Sequence, residues 1–160
     1  MKRAIAVAGA ILTSVVGLAG SGVALEVSRQ GSTCISTLGI NDSRLSYSLF
    51  GVQNNSTSAA VGVECGIPLM PPGVVSVVGF TAYDRSNTDN VSCNLFLEDS
   101  AGRIIGSAIR TTSGFSSAPV SLDFFMPERT NSAIAIVSCF IPAKTANGLS
   151  HLTSLRAVTP

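Results

Sequence analysis

The nine residues Asn90-Val91-Ser92-Cys93-Asn94-Leu95-Phe96-Leu97-Glu98 decide the fold. Val91, Cys93, Leu95 and Leu97 share one face, while Ser92, Asn94 and Glu98 take the other. That period of two gives an extended strand one apolar and one wet surface. Asp99-Ser100-Ala101-Gly102 follows, with glycine supplying the backbone freedom of a tight turn, and leads into a second strand over 103–111. The stretch therefore reads as an antiparallel hairpin buried on one side.

The same pattern recurs outward from it. Over 132–141, Ala135, Val137, Cys139 and Ile141 share a face, and Val137-Ser138-Cys139 repeats the context of Val91-Ser92-Cys93. Alternation and β-branched content place further strands at 45–53, 59–67, 74–84, 120–125 and 149–158. After residue 24 no window holds a sustained three-four apolar spacing, and Gly, Pro or Asn interrupts the chain about every dozen residues. Pro68, Pro71 and Pro72 with Gly66 and Gly73 read as a rigid break after Cys65, and Pro142 as the end of the strand that carries Cys139. Short strands at this spacing, without linker or repeat, predict a single antiparallel β-sandwich of seven or eight strands, Ig-like or jelly-roll-like.

The chain opens with Lys2 and Arg3, runs uncharged from Ala4 to Leu25, and sets Gly22, Val23 and Ala24 before Glu26. A basic head, an apolar centre and a small-x-small ending are the parts of a secretory signal peptide. The expected division is a signal peptide over 1–24 and one secreted domain over 25–160. Ser21 stands where a lipoprotein signal needs cysteine, so no lipid anchor and no membrane span are expected after cleavage. The expected location is secreted or periplasmic.

Cleavage would remove two cations and leave eight basic against nine acidic side chains. That balance argues against nucleic acid or an anionic membrane as partner, since both select a basic patch. All four cysteines, Cys34, Cys65, Cys93 and Cys139, lie beyond the signal, too far apart for a C-x-x-C motif. Disulfides are the expected state. Four cysteines allow three pairings; the matching strand contexts favour Cys93 with Cys139, which leaves Cys34 for Cys65. Both central cysteines face inward, and a bridge between them would suit a staple between sheets.

Gly51-Val52 with Asn54-Asn55-Ser56, then Val63-Glu64-Cys65-Gly66-Ile67-Pro68, Val91-Ser92-Cys93-Asn94-Leu95 and Val137-Ser138-Cys139-Phe140-Ile141-Pro142, resemble a group of uncharacterised secreted proteins of Gram-negative bacteria. Those proteins carry C-x-I-P, V-x-C-x-L and C-x-L-P in that order. The resemblance spans about 47–158 and departs at Gly66, where proline would be expected. It implies export and an all-β disulfide-bonded fold, and brings no activity or catalytic residue with it.

The common catalytic constellations each lack a member. A Ser-His-acid relay has only His151 available, and the adjacent Ser150 points to the opposite face of a strand. Paired carboxylates could cleave glycosidic bonds, but Glu98 and Asp99 sit at a hairpin tip, and Asp84 and Asp89 in a polar loop where solvation accounts for them. With no Trp and only Tyr47 and Tyr83, stacking platforms for sugars are few. Asp84, Asn87 and Asp89 have oxygen-ligand spacing for Ca²⁺, though Arg85 among them favours an ordinary turn. No catalytic residue, cofactor or further metal site is expected. The function expected is a non-enzymatic structural, adhesive or binding sandwich acting on an extracellular protein or surface, with self-association by strand addition as a variant. The alternative is a secreted hydrolase or hydrolase inhibitor, using loop carboxylates or the 68–73 loop. Acids converging in one pocket would favour the enzyme.

Overall fold

In a computed structural model, residues 25–39 and 42–159 are described, and the proposed signal peptide over 1–24 lies outside them. Among the described residues nine strands run in chain order: β1 Leu25–Gln30, β2 Ile35–Ser36, β3 Leu45–Ser48, β4 Gly51–Asn54, β5 Val61–Tyr83, β6 Ser92–Asp99, β7 Ile104–Thr111, β8 Val120–Ile141 and β9 His151–Thr159. Every pairing is antiparallel.

Two strands of 23 and 22 residues organise the molecule. The first half of β5 pairs with the second half of β8, and β6 continues that layer outward to β7, with β2 on the far side. The second half of β5 pairs with the first half of β8 and with β9, which in turn carries β1 and β4, and β3 beyond β4. Each long strand thus serves both layers of the sandwich. The layers enclose one core, which includes Val63, Leu95 and Val137 from one and Val78, Phe80, Phe124 and Leu155 from the other. The Phe80 and Phe124 rings lie 5.8 Å apart at 44°. Burying a side chain of this kind contributes about 1.5–3 kcal/mol.

The 68–73 stretch is therefore not a loop. Strand β5 runs through it, and its ladder with β8 shifts register between Pro68 and Gly73 and again as far as Val77. Proline removes one ladder donor and glycine relaxes the backbone, so together they bend a strand from one layer to the next without ending it. Opposite the bend, the expected gap between 125 and 132 is also strand, with Asn131 in the left-handed region at φ 64°. Asparagine is among the few residues that tolerate that conformation. The expected strand over 45–53 is instead the hairpin β3–β4. It turns at Leu49-Phe50 and closes on Gly51 at φ 124°. A Cβ at Gly51 would run into the Leu152 carbonyl of β9, so the turn needs glycine for conformation and for space.

The disulfides join Cys34 to Cys65 and Cys93 to Cys139, as the strand contexts suggested. Neither is a staple between sheets. Cys93 and Cys139 are direct register partners on β6 and β8, with Cα atoms 4.0 Å apart, so their shared inward face closes the bridge within one layer. Cys34 stands just before β2, which pairs with β5 at Glu64, and its bridge to Cys65 ties the other margin of that layer.

Candidate functional site

Outward positions of the β5–β9–β4 layer form the floor of an open groove of about 680 Å³. On β5, Phe80 and Ala82 point into the core, so Thr81 and Tyr83 point out. On β9 the register with β5 shifts between Thr81 and Ala82, which inserts Thr153 between the partners Ser154 and Leu152. That bulge presents Thr153 to the groove, where its hydroxyl donates to the Thr81 carbonyl at 2.8 Å. Tyr83 and His151 are register partners, and their rings stack with centroids 4.5 Å apart and planes at 26°. Gln53 of β4 pairs with His151 from the other side. The β3–β4 turn forms one wall, with Leu49 and Phe50 at 86% and 77% exposure.

Arg85 flanks the floor. Its Cζ lies 5.4 Å from the Tyr83 ring centroid and 5.7 Å from that of Phe115, within the usual range for cation–π attraction. The backbone beneath it is fixed from three directions. Its N–H donates to the Ser150 hydroxyl at 2.9 Å, its carbonyl accepts from the Thr145 hydroxyl at 2.7 Å, and the preceding Asp84 is fully buried. Asp84 accepts from the backbone N–H groups of Ser86 and Val91 and from the hydroxyl of Thr112. This corrects the expectation of a solvated loop acid. The carboxylate is turned inward because three donors from two loops converge on it.

The oxygen ligands proposed for Ca²⁺ are accordingly not brought together. Asp84 is spent on the loop, Asn87 and Asp89 are exposed, and Asp89 accepts from the Thr88 hydroxyl. No group of three metal-binding side chains occurs among the described residues. Asp99 is not a free hairpin acid either: it accepts from the Ala101 and Arg103 backbone and pairs with the Arg103 guanidinium at 2.7 Å. Those bonds hold its pKa below the usual carboxylate value.

His151 is half-buried, and its Nδ1 lies 3.3 Å from the Leu149 carbonyl. A carbonyl can only accept, so the proton sits on Nδ1 and Nε2 keeps the lone pair in the neutral ring. Burial pushes the His151 pKa down; the Leu149 carbonyl opposes this and the nearby Arg85 charge adds to it. Among the described residues no Asp or Glu lines the groove. Its side chains can stack on an apolar ring face and exchange hydrogen bonds with hydroxyls, but they offer no general acid–base pair of carboxylates. Sequence reading missed the trio Tyr83, Arg85 and His151. The alternation that aims Tyr83 outward was visible, but its meeting with His151 depends on a register 68 positions apart in the chain.

The molecule is a disulfide-linked, all-β antiparallel sandwich with a groove on one outer face. Among the described residues no helix is long and apolar enough to cross a membrane. No protein-family model and no curated protein matches the chain. Among solved structures it is similar to the infectious bursal disease virus VP2 subviral particle, at 10% identity and a TM-score of 0.50, covering 96% of this chain and 37% of that one. It is also similar to the CBM36-1 domain of a multidomain xylanase from the hindgut metagenome of Trinervitermes trinervoides, at 12% identity and a TM-score of 0.47, over 85% and 98%. A third is the enzymatically active domain of bacteriophage CBA120 tailspike protein 4, at 13% identity and a TM-score of 0.49, over 85% of this chain and 19% of that one. At these identities the likeness is one of fold.

Proposed function

We propose that this is a non-enzymatic binding module, exported from a bacterial cell, whose groove takes a saccharide segment. The observation that carries the reading is the stacked Tyr83–His151 pair set among Gln30, Gln53, Thr81 and Thr153, with no carboxylate in the lining. Sugar rings present an apolar face bordered by hydroxyls, and this groove offers the complement: the exposed Phe50 ring on its wall and the edges of the stacked pair on its floor, with neutral donors and acceptors beside them. The hydrolase alternative asked for converging acids, and the inhibitor alternative for a protruding 68–73 loop; neither premise has support in the groove or in β5. Self-assembly through the free edge of β7 is disfavoured by Arg110. It shares the inward face of its partner Cys93 and donates to the Asp123 carbonyl at 3.0 Å, a charge placed where a docking strand would have to displace it. Export is supported by the N-terminal pattern, by the resemblance to secreted Gram-negative proteins, and by the two disulfides, which persist in oxidising compartments.

The test is isothermal titration calorimetry against a panel of oligosaccharides, with Tyr83→Ala beside the unsubstituted protein. Saccharide binding weakened about tenfold or more by Tyr83→Ala, on the scale of one lost aromatic platform, supports the reading. Turnover of a glycoside, ester or peptide by the purified protein counts against it.

A further inference from the structure

We propose that Arg85 forms an anion-binding subsite at the edge of the groove, and that the saccharide it receives is acidic, bearing a carboxylate or sulfate on the ring that borders the Tyr83–His151 pair. This rests on the saccharide reading of the same groove and adds the ligand's charge.

The arginines with ion pairs show what Arg85 lacks. Arg44 pairs with Asp42 at 2.8 Å, Arg103 with Asp99 at 2.7 Å and Arg156 with Asp123 at 2.8 Å. Among the described residues no carboxylate lies within ion-pair distance of Arg85, and none of its five N–H donors meets an acceptor. Yet the side chain is not free to wander. Two aromatic rings hold its guanidinium from either side in sequence, Tyr83 and Phe115, and Ser150 and Thr145 clamp its backbone. A partly buried guanidinium fixed in place with its donors unspent is preorganised for an incoming acceptor, so little ordering entropy remains to be lost on binding. Its planar fork matches the paired oxygens of a carboxylate or sulfate.

The surroundings give the same sign. Arg85 and His151 are the ionisable groups of the lining besides the Tyr83 phenol, and neither can be negative. Arg85 lies against Tyr83 as His151 does, so an anion on the guanidinium would place its own sugar ring beside the Tyr83–His151 pair. The chain as a whole is close to neutral, so the preference arises locally and not from a global positive field.

The experiment titrates four probes of similar length into the full secreted chain: a neutral glucan oligosaccharide, an oligogalacturonate, a sulfated oligosaccharide and oligoglutamate. The proteins are the unsubstituted chain, Arg85→Gln, Arg85→Lys and Tyr83→Ala, each checked for unchanged thermal unfolding. The expected result is that an acidic saccharide binds at least tenfold more tightly than the neutral one. Arg85→Gln should erase that margin, so that acidic and neutral saccharides bind alike, and Arg85→Lys should recover only part of it, having charge without the fork. Tyr83→Ala should weaken both saccharides. Equal affinity for neutral and acidic saccharides, or an Arg85→Gln variant that keeps the margin, overturns the anion subsite and leaves the saccharide reading standing. Binding of oligoglutamate in place of every saccharide, or no saccharide binding at all, overturns both.

Discussion

Asp84 is fully buried, and its environment reverses what its sequence position suggested. Polar neighbours from Arg85 to Asn90 read as a wet turn, but the backbone donors of Ser86 and Val91 and the Thr112 hydroxyl make the carboxylate an internal fastener for two loops. Nothing in 84–90 announces Thr112, which is why Asp84 read as a solvated acid. Asp84→Ala is expected to cost about 3 kcal/mol, since it strips several charge-assisted bonds and strands buried donors. Urea unfolding measures it, and a loss below about 0.5 kcal/mol would return Asp84 to the class of ordinary surface acids. His151 yields a pH prediction. Its folded pKa lies below the ordinary value near 6.5, so the unfolded chain binds the proton more readily. Stability is then complete above that ordinary value and falls as pH drops from it toward the folded pKa. Arg85 and Tyr83 are the charged or titratable groups beside the ring. The urea midpoint should decline between about pH 7 and 5 in the unsubstituted protein and stay level in His151→Gln. Parallel declines in both would show that another group carries the dependence.

At the scale of strands, alternation identified β6 and the second half of β8 with their inward faces, because each has one dry and one wet side, and the turn at 99–102 placed β7 after β6. Reading failed where chemistry normally punctuates. The prolines and glycines of 66–73 mark a bend inside β5, and Asn131 marks its counterpart in β8, because a strand that crosses between layers needs the same permissive residues as one that stops. Strand β1 went unread because it earns its place through pairing with β9, over 25–30 against 154–159, and not through any pattern of its own. The cysteines were legible through their matching contexts, and the remaining issue was geometry: neighbours in one layer rather than partners across two. That difference leaves the energetic expectation intact, because the bridge acts largely by restricting the unfolded chain. Replacing Cys93 and Cys139 together by alanine should destabilise by about 4 kcal/mol for a separation of 46 residues, and replacing Cys34 and Cys65 by slightly less for 31. Denaturant midpoints of the two double variants decide this, and losses under about 1 kcal/mol would contradict it.

At the scale of the whole molecule, the outer face of the β5–β9–β4 layer has the makings of a binding surface. The β5–β9–β4 layer is hollowed between the Leu49-Phe50 turn and the Arg85–Phe115 corner, and its floor mixes ring edges with neutral polar groups. Sandwiches host many functions, so the fold alone assigns none, and the reading depends on this local chemistry. The scarcity of aromatic residues in the sequence argued against sugar stacking. The fold answers that scarcity by concentrating Tyr83, His151, Phe50 and Phe115 around one groove. The most direct measurement is a titration of ¹⁵N-labelled protein with an acidic oligosaccharide, following every backbone amide by NMR. Shift changes should centre on Gln53, Thr81, Tyr83, Arg85, His151 and Thr153, and leave the outer face of β6 and β7 unmoved. Changes centred on β6 and β7, or on the 99–102 turn, would contradict the assignment of the groove as the binding site.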